Sequence, residues 1–170
     1  MGGRILLHRA LEDPRRWPAL VLVGVSAGSD DPAARRAADE KLAAWIESQS
    51  IEDVVARWET NPLFATQSKE VVAAQREGRL SYDPVDLAYL LRRFGQGVMP
   101  PVWRRLPELD LPVLLLAGAR DEKYATAGER MAALLSNGTF RAIPEAGHAP
   151  QLEDPDAFAA ALGEFLDERL

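Results

Sequence analysis

Two short apolar runs constrain this chain more than anything else in it. "ALVLVGVS" (residues 19–26) and "LPVLLLAG" (residues 111–118) are each of strand length and almost free of polar side chains. A strand that is apolar at successive positions must be covered on both faces, which is the condition of a buried parallel strand. A third run, "TFRAIP" (residues 139–144), reads as a shorter strand. The segments between these runs have helical periodicity. In "GGRILLHRALED", Ile5, Leu6, Ala10 and Leu11 recur at helical spacing, and Asp13-Pro14 marks the stop. From Pro32 to about Phe94 the pattern is helical throughout.

Four helices are predicted in that stretch. "PAARRAADEKLAAWIE" follows an Asp30-Asp31 cap and a first-turn proline, and "SIEDVVARWE" opens with an acidic capping box from Ser50 to Asp53. "SKEVVAAQREG" is expected to end at Gly78, and "DPVDLAYLLRRFG" is bounded by Asp83-Pro84 and Gly95. A helix near Ala125–Leu135 follows the second apolar run, and "DPDAFAAALGEFLDERL" is a capped amphipathic helix. Strands separated by helices imply an α/β fold with a parallel sheet and right-handed crossovers. Four consecutive helices between two strands suggest a lid over the strand ends, where such sheets bind ligands. The expected division is a sheet core of residues 1–28 and 107–170 with a helical lid of residues 29–106.

Composition narrows the function classes. At 170 residues and 47% hydrophobic, the chain can build one sizeable core. A net charge of −6 disfavours nucleic acid and anionic membranes as partners. With no cysteine, there are no disulfides or thiolate metal sites, which suits a reducing cytoplasm. No apolar run approaches the roughly 18–20 residues that span a bilayer, and no cleavable leader is evident at the start. Neither H-E-x-x-H nor a Gly-rich phosphate loop occurs, so no metal and no cofactor are expected.

The chemistry is expected at the strand ends. "LLLAGARDEKY" places Asp121 just past one strand, and "IPEAGHAPQLEDPDAF" places His148 just past the next. An acid and then a histidine from successive strand ends form the second half of a Ser…Asp…His triad. The histidine takes a proton from the nucleophile, and the carboxylate sets its tautomer. Gly24-Val25-Ser26-Ala27-Gly28 matches G-x-S-x-G, the pattern of a nucleophile elbow. Such an elbow needs a helix to start directly after the serine, so that its N-terminal N–H groups face the developing anion. Here two aspartates intervene before Pro32, and Ser26 is read as a strand end leading into the lid.

These features, from the first helix to "GHAPQLEDPDAF", resemble the α/β-hydrolase superfamily. The resemblance implies the C-terminal half of that fold, with about three strands and a helical lid. "MGGRILLHRALEDPRRWPALVLVG" looks like the helix and strand that follow the elbow serine, so the resemblance places that serine just before Met1. Within the superfamily, "MGGR", "PAARRAADEKLAAW", "RWETNPLFA", "AAQREGR" and "PPVWRRL" are similar to the 2-succinyl-6-hydroxy-2,4-cyclohexadiene-1-carboxylate synthase family. Those enzymes of menaquinone biosynthesis eliminate pyruvate from 2-succinyl-5-enolpyruvyl-6-hydroxy-3-cyclohexene-1-carboxylate, using the triad serine as a base.

That resemblance implies triad roles for Asp121 and His148, and substrate binding by Arg4, Arg35, Trp58 and Arg76. Arg4 would stand one helical turn beyond the serine, on the same face, where its guanidinium can fork a carboxylate. Arg36 is the alternative to Arg35. His8 reads as a structural residue, and Lys123 as a surface charge that could also draw in an anionic substrate. The implied partner is a small polycarboxylate, together with a missing N-terminal half. Without the serine, the 170 residues alone are expected to be inactive, and the strand at Leu20–Val25 to expose an apolar edge. Two other readings stand beside this one: another α/β-hydrolase (an esterase or carbon–carbon hydrolase), or a non-catalytic remnant that binds a partner through its sheet edge.

Overall fold

The structure, a computed structural model, describes residues 1–169. The described residues divide into two compact units, a sheet unit of residues 2–27 and 102–169 and a helical unit of residues 28–101 joined by Met1.

In the sheet unit, three parallel strands run in the order β1 (Leu20–Val23), β2 (Val113–Gly118) and β3 (Gly138–Ile143). Leu20 stands opposite Val113, and Val113 opposite Gly138. The central strand is paired on both sides, and all six of its residues are buried. Alternate side chains divide between two cores. Val113 and Leu115 join Leu20 and Leu22 against Leu7, Ala10 and Leu11 of α1 (Gly2–Glu12) and Met131 of α6 (Glu122–Leu134). Leu114 and Leu116 face the other way, toward Ile143 and Phe165 of α8 (Pro155–Arg169). The result is a layer of helices on each face of the sheet, which is what two apolar runs without alternation demand.

The helical unit consists of α2 (Pro32–Glu47), α3 (Ile51–Glu59), α4 (Lys69–Leu80) and α5 (Pro84–Phe94). Their starts follow the local signals. Asp31 accepts the Ala34 N–H at 2.9 Å, Ser50 accepts that of Asp53 at 3.2 Å, and Asp83 accepts that of Val85 at 2.7 Å. Ala43, Ile46, Val54 and Ala88 form its small core. Asp39 of α2 is 3% exposed; its carboxylate accepts Arg35 Nε at 2.7 Å and the Gly97 N–H at 3.1 Å. No helix among the described residues is long and apolar enough to cross a membrane.

Three boundaries differ from expectation. α4 runs through Gly78 to Leu80, because a helical glycine costs only about 1 kcal/mol relative to alanine and the turn continues to Ser81. α6 begins at Glu122 rather than near Ala125, since Asp121 itself caps it. β1 stops at Val23, where Gly24 takes φ +57° and turns the chain.

Candidate active site

Parallel strands deliver all their carboxyl ends to one edge of the sheet. At that edge the sheet unit gathers Gly24 after β1, Asp121 after β2 and His148 after β3. The Asp121 side chain is 6% exposed and divides its two oxygens between different tasks. Oδ1 accepts the Tyr124 N–H at 3.3 Å, capping α6, and Oδ2 lies 2.6 Å from His148 Nδ1. The cap locks the carboxylate to a helix terminus, and the locked carboxylate orients the imidazole. With Nδ1 carrying its proton toward the carboxylate, the ring's lone pair lies on Nε2, the nitrogen that acts as a base in such pairs.

Further contacts shape the pair. The Tyr124 ring lies against the imidazole, with centroids 4.8 Å apart and planes inclined by 46°. At Gly24 an added Cβ would come within 3.3 Å of His148 Cε1, in a backbone conformation that L side chains rarely adopt. The loop before His148 packs on the end of β2, where a Cβ on Gly118 would stand 2.1 Å from the Gly147 carbonyl oxygen. Glu153, in the single turn α7 (Pro150–Glu153), accepts the Gly147 N–H at 2.9 Å through Oε2 and the Ala149 N–H at 3.0 Å through Oε1.

The remaining expected residues fall in both units. Arg4, on α1 of the sheet unit, is 4% exposed, unlike an ordinary solvated helix arginine. In the helical unit Arg35 is held by Asp39, and Arg76 pairs with Glu59, the residue after Trp58. Trp58 is 45% exposed and stacks in a tilted manner on Phe64, centroids 5.4 Å apart. Arg79 lies over the same Phe64 ring and 3.6 Å from Glu59. Trp58 and Arg76 therefore share one corner between α3 and α4, and Arg35 sits on α2. Lys123 Nζ lies 5.3 Å from the centre of the Tyr124 ring. Among the described residues no three His, Cys, Asp or Glu side chains group as a metal set.

No helix begins at Ser26; α2 starts six residues later, behind its Asp31 cap. The apparent elbow contributes its first glycine instead, as the surface behind His148. Gly24, Tyr124 and Glu153 escaped the sequence reading. A positive φ leaves no mark of its own, and Glu153 stands immediately before the Asp154-Pro155 helix start, which draws the reading to the helix that follows.

Parallel strands with Asp and His at successive carboxyl ends define a class of fold, and the comparisons agree on that fold. Residues 1–161 match the model of the alpha/beta hydrolase family, and the chain belongs to that family. It is 36% identical to a Bacillus subtilis (strain 168) protein provisionally named 2-succinyl-6-hydroxy-2,4-cyclohexadiene-1-carboxylate synthase, over 98% of this chain and 63% of that protein. It is 31% identical to the synthase of that name from Serratia proteamaculans (strain 568), over 98% of this chain and 65% of the relative. The solved structure of MenH from S. aureus matches with a TM-score of 0.93 at 35% identity, covering 98% of this chain and 65% of that one. The chain thus spans less than two thirds of the length of these relatives.

Proposed function

We propose that this chain carries the acid–histidine pair and part of the substrate-binding set of a pyruvate-eliminating synthase acting in menaquinone biosynthesis. The observation that carries the reading is the 2.6 Å approach of Asp121 and His148 at successive strand ends, in a chain similar to proteins bearing that synthase name. In the proposed reaction His148 Nε2 draws the proton from a serine, expected just before Met1, and the serine oxygen removes a proton from the substrate ring. The electron pair left on carbon moves through the ring and breaks the C–O bond to the enolpyruvyl group. The enolate that leaves takes up a proton and becomes pyruvate. Asp121 stabilises the imidazolium that forms. No cofactor is needed for this balance, and the class of reaction is a carbon–oxygen lyase.

Arg4, Arg35 and Arg76 are proposed to bind the carboxylates of the substrate, with Trp58 as an aromatic contact. Arg4 has the burial that strengthens a charge-assisted bond, and Asp39 and Glu59 hold the other two guanidiniums in fixed orientations. The proposed setting is the cytoplasm, with a small polycarboxylate as the partner.

The test measures pyruvate release by a protein in which these 170 residues are joined to a segment carrying the base serine. His148→Ala is expected to lower turnover by about 10²–10⁴-fold, and Arg76→Ala to raise KM more than it lowers kcat. Unchanged synthase activity in His148→Ala would overturn the triad role. Ester hydrolysis that is indifferent to Arg4, Arg35 and Arg76 would move the chain to the esterase side of its family.

A further inference from the structure

We infer that Glu153 is a positioning residue for His148, acting on the peptide groups on either side of it. Ala149 is the N-cap of α7 and has no side chain with which to cap. A carboxylate that reaches back to the Ala149 N–H supplies that missing cap, and a purely helical role would end there. The Glu153 carboxylate does more. Its second oxygen accepts the Gly147 N–H at 2.9 Å, a donor that lies outside the helix and on the other side of His148. One ionised group thus brackets the histidine with two charge-assisted bonds.

The bracket matters because of what else touches the ring. Nδ1 must stay 2.6 Å from Asp121 Oδ2, while Gly24 stands behind Cε1 and Tyr124 lies against the ring face. The loop is tied to the turn after β2 by the Arg120 N–H bond to the Ala146 carbonyl at 3.0 Å, which leaves the orientation of the next three residues to be set. Gly147, within that stretch, is the residue type with the greatest backbone freedom. Glu153 restricts this freedom where a small rotation would swing the imidazole off its carboxylate. Its importance for turnover rests on the catalytic role proposed above for His148, whereas its hold on the imidazole stands by itself.

The test reads the imidazole directly and needs no activity. Nitrogen-15 NMR of this chain distinguishes a histidine locked as the Nδ1–H tautomer from one that samples both forms. The chain has two histidines, and His148→Ala assigns the signals. The native chain is expected to show His148 in the single Nδ1–H form with a low-field Nδ1 proton. Glu153→Ala is expected to lose that proton signal and gain a second, Nε2–H population. Glu153→Gln keeps one acceptor but turns an NH2 toward the other donor, and is expected to fall between them. A folded Glu153→Ala whose imidazole pattern is unchanged, even with a lowered melting temperature, would reduce Glu153 to a helix cap and overturn the inference. If Glu153→Ala does not fold, an unchanged pattern in Glu153→Gln overturns it equally. A native-like imidazole in an inactive synthase assay would count against the proposed reaction and not against the bracket.

Discussion

The sheet unit and the helical unit hold their candidate functional residues by different means. In the sheet unit, β2 is buried at every residue, and Asp121 and His148 hang directly from strand ends, positioned by main-chain hydrogen bonds and a helix cap. In the helical unit the main core cluster is small, Ala43, Ile46, Val54 and Ala88 with their partly buried neighbours, and Val55 is buried beside it in sequence. No residue of α4 is buried, and Trp58, Tyr82, Tyr89 and Phe94 are exposed. Its arginines are oriented by side-chain ion pairs. Main-chain positioning gives the rigidity that proton transfer requires. In these pairs the carboxylate is the buried partner and the guanidinium the more exposed one, 35% for Arg35 and 45% for Arg76, so each arginine is anchored from below and keeps donors open to solvent. The difference teaches that one unit fixes its residues through the main chain and the other through side-chain pairs anchored on buried carboxylates.

The strongest way to break this comparison is to truncate the cores. Leu115→Ala should lower stability by about 2–5 kcal/mol, because Leu115 is 1% exposed in the central strand. Trp58→Ala should change it by less than about 1 kcal/mol. Urea unfolding checks both, and equal losses would remove the contrast. Glycine substitutions sharpen it. Gly118→Ala drives a methyl group into the carbonyls of Gly147 and Ala146 and should cost about 1–3 kcal/mol, with a perturbed His148 imidazole signal. Gly78→Ala, in α4 with nothing within 4 Å, should instead stabilise by about 0.5–1 kcal/mol. Thermal melts of the two variants should therefore move in opposite directions.

The smallest expected effect concerns pH. The Glu70 carboxyl, at the start of α4, is held below the usual range by its own backbone N–H and by the Ser68 hydroxyl. A lowered folded-state pKa means that its contribution is complete above the unfolded value and fades as pH falls through the folded one. An NMR titration should find the Glu70 midpoint below that of an ordinary glutamate. A midpoint at the ordinary value would show that the α4 terminus is not ordered by these bonds.

Much of this was legible in advance. The apolar runs located the strands, and Asp31, Ser50 and Asp83 announced helix starts because capping is a local interaction between residues two or three apart. Asp121 and His148 were legible because parallel strands bring their carboxyl ends to one edge whatever fills the connections. The start of α6 was misread for an instructive reason: Asp121 was read only as a triad acid just past a strand, yet it is also the helix cap. Gly78 was overweighted as a stop, since a modest propensity penalty does not end a helix whose next turn can still close.

Sequence alone determined the order of the strands and longer helices and which acid and histidine emerge beside one another, since apolar runs, periodicity and caps act over a few residues. Tertiary structure alone decided that Arg4 is buried, that Arg76 is held by Glu59 from a different helix, and that Gly24 backs His148 across 124 positions of chain. These depend on how separate segments approach in space, and no local pattern encodes the last ångström of that approach.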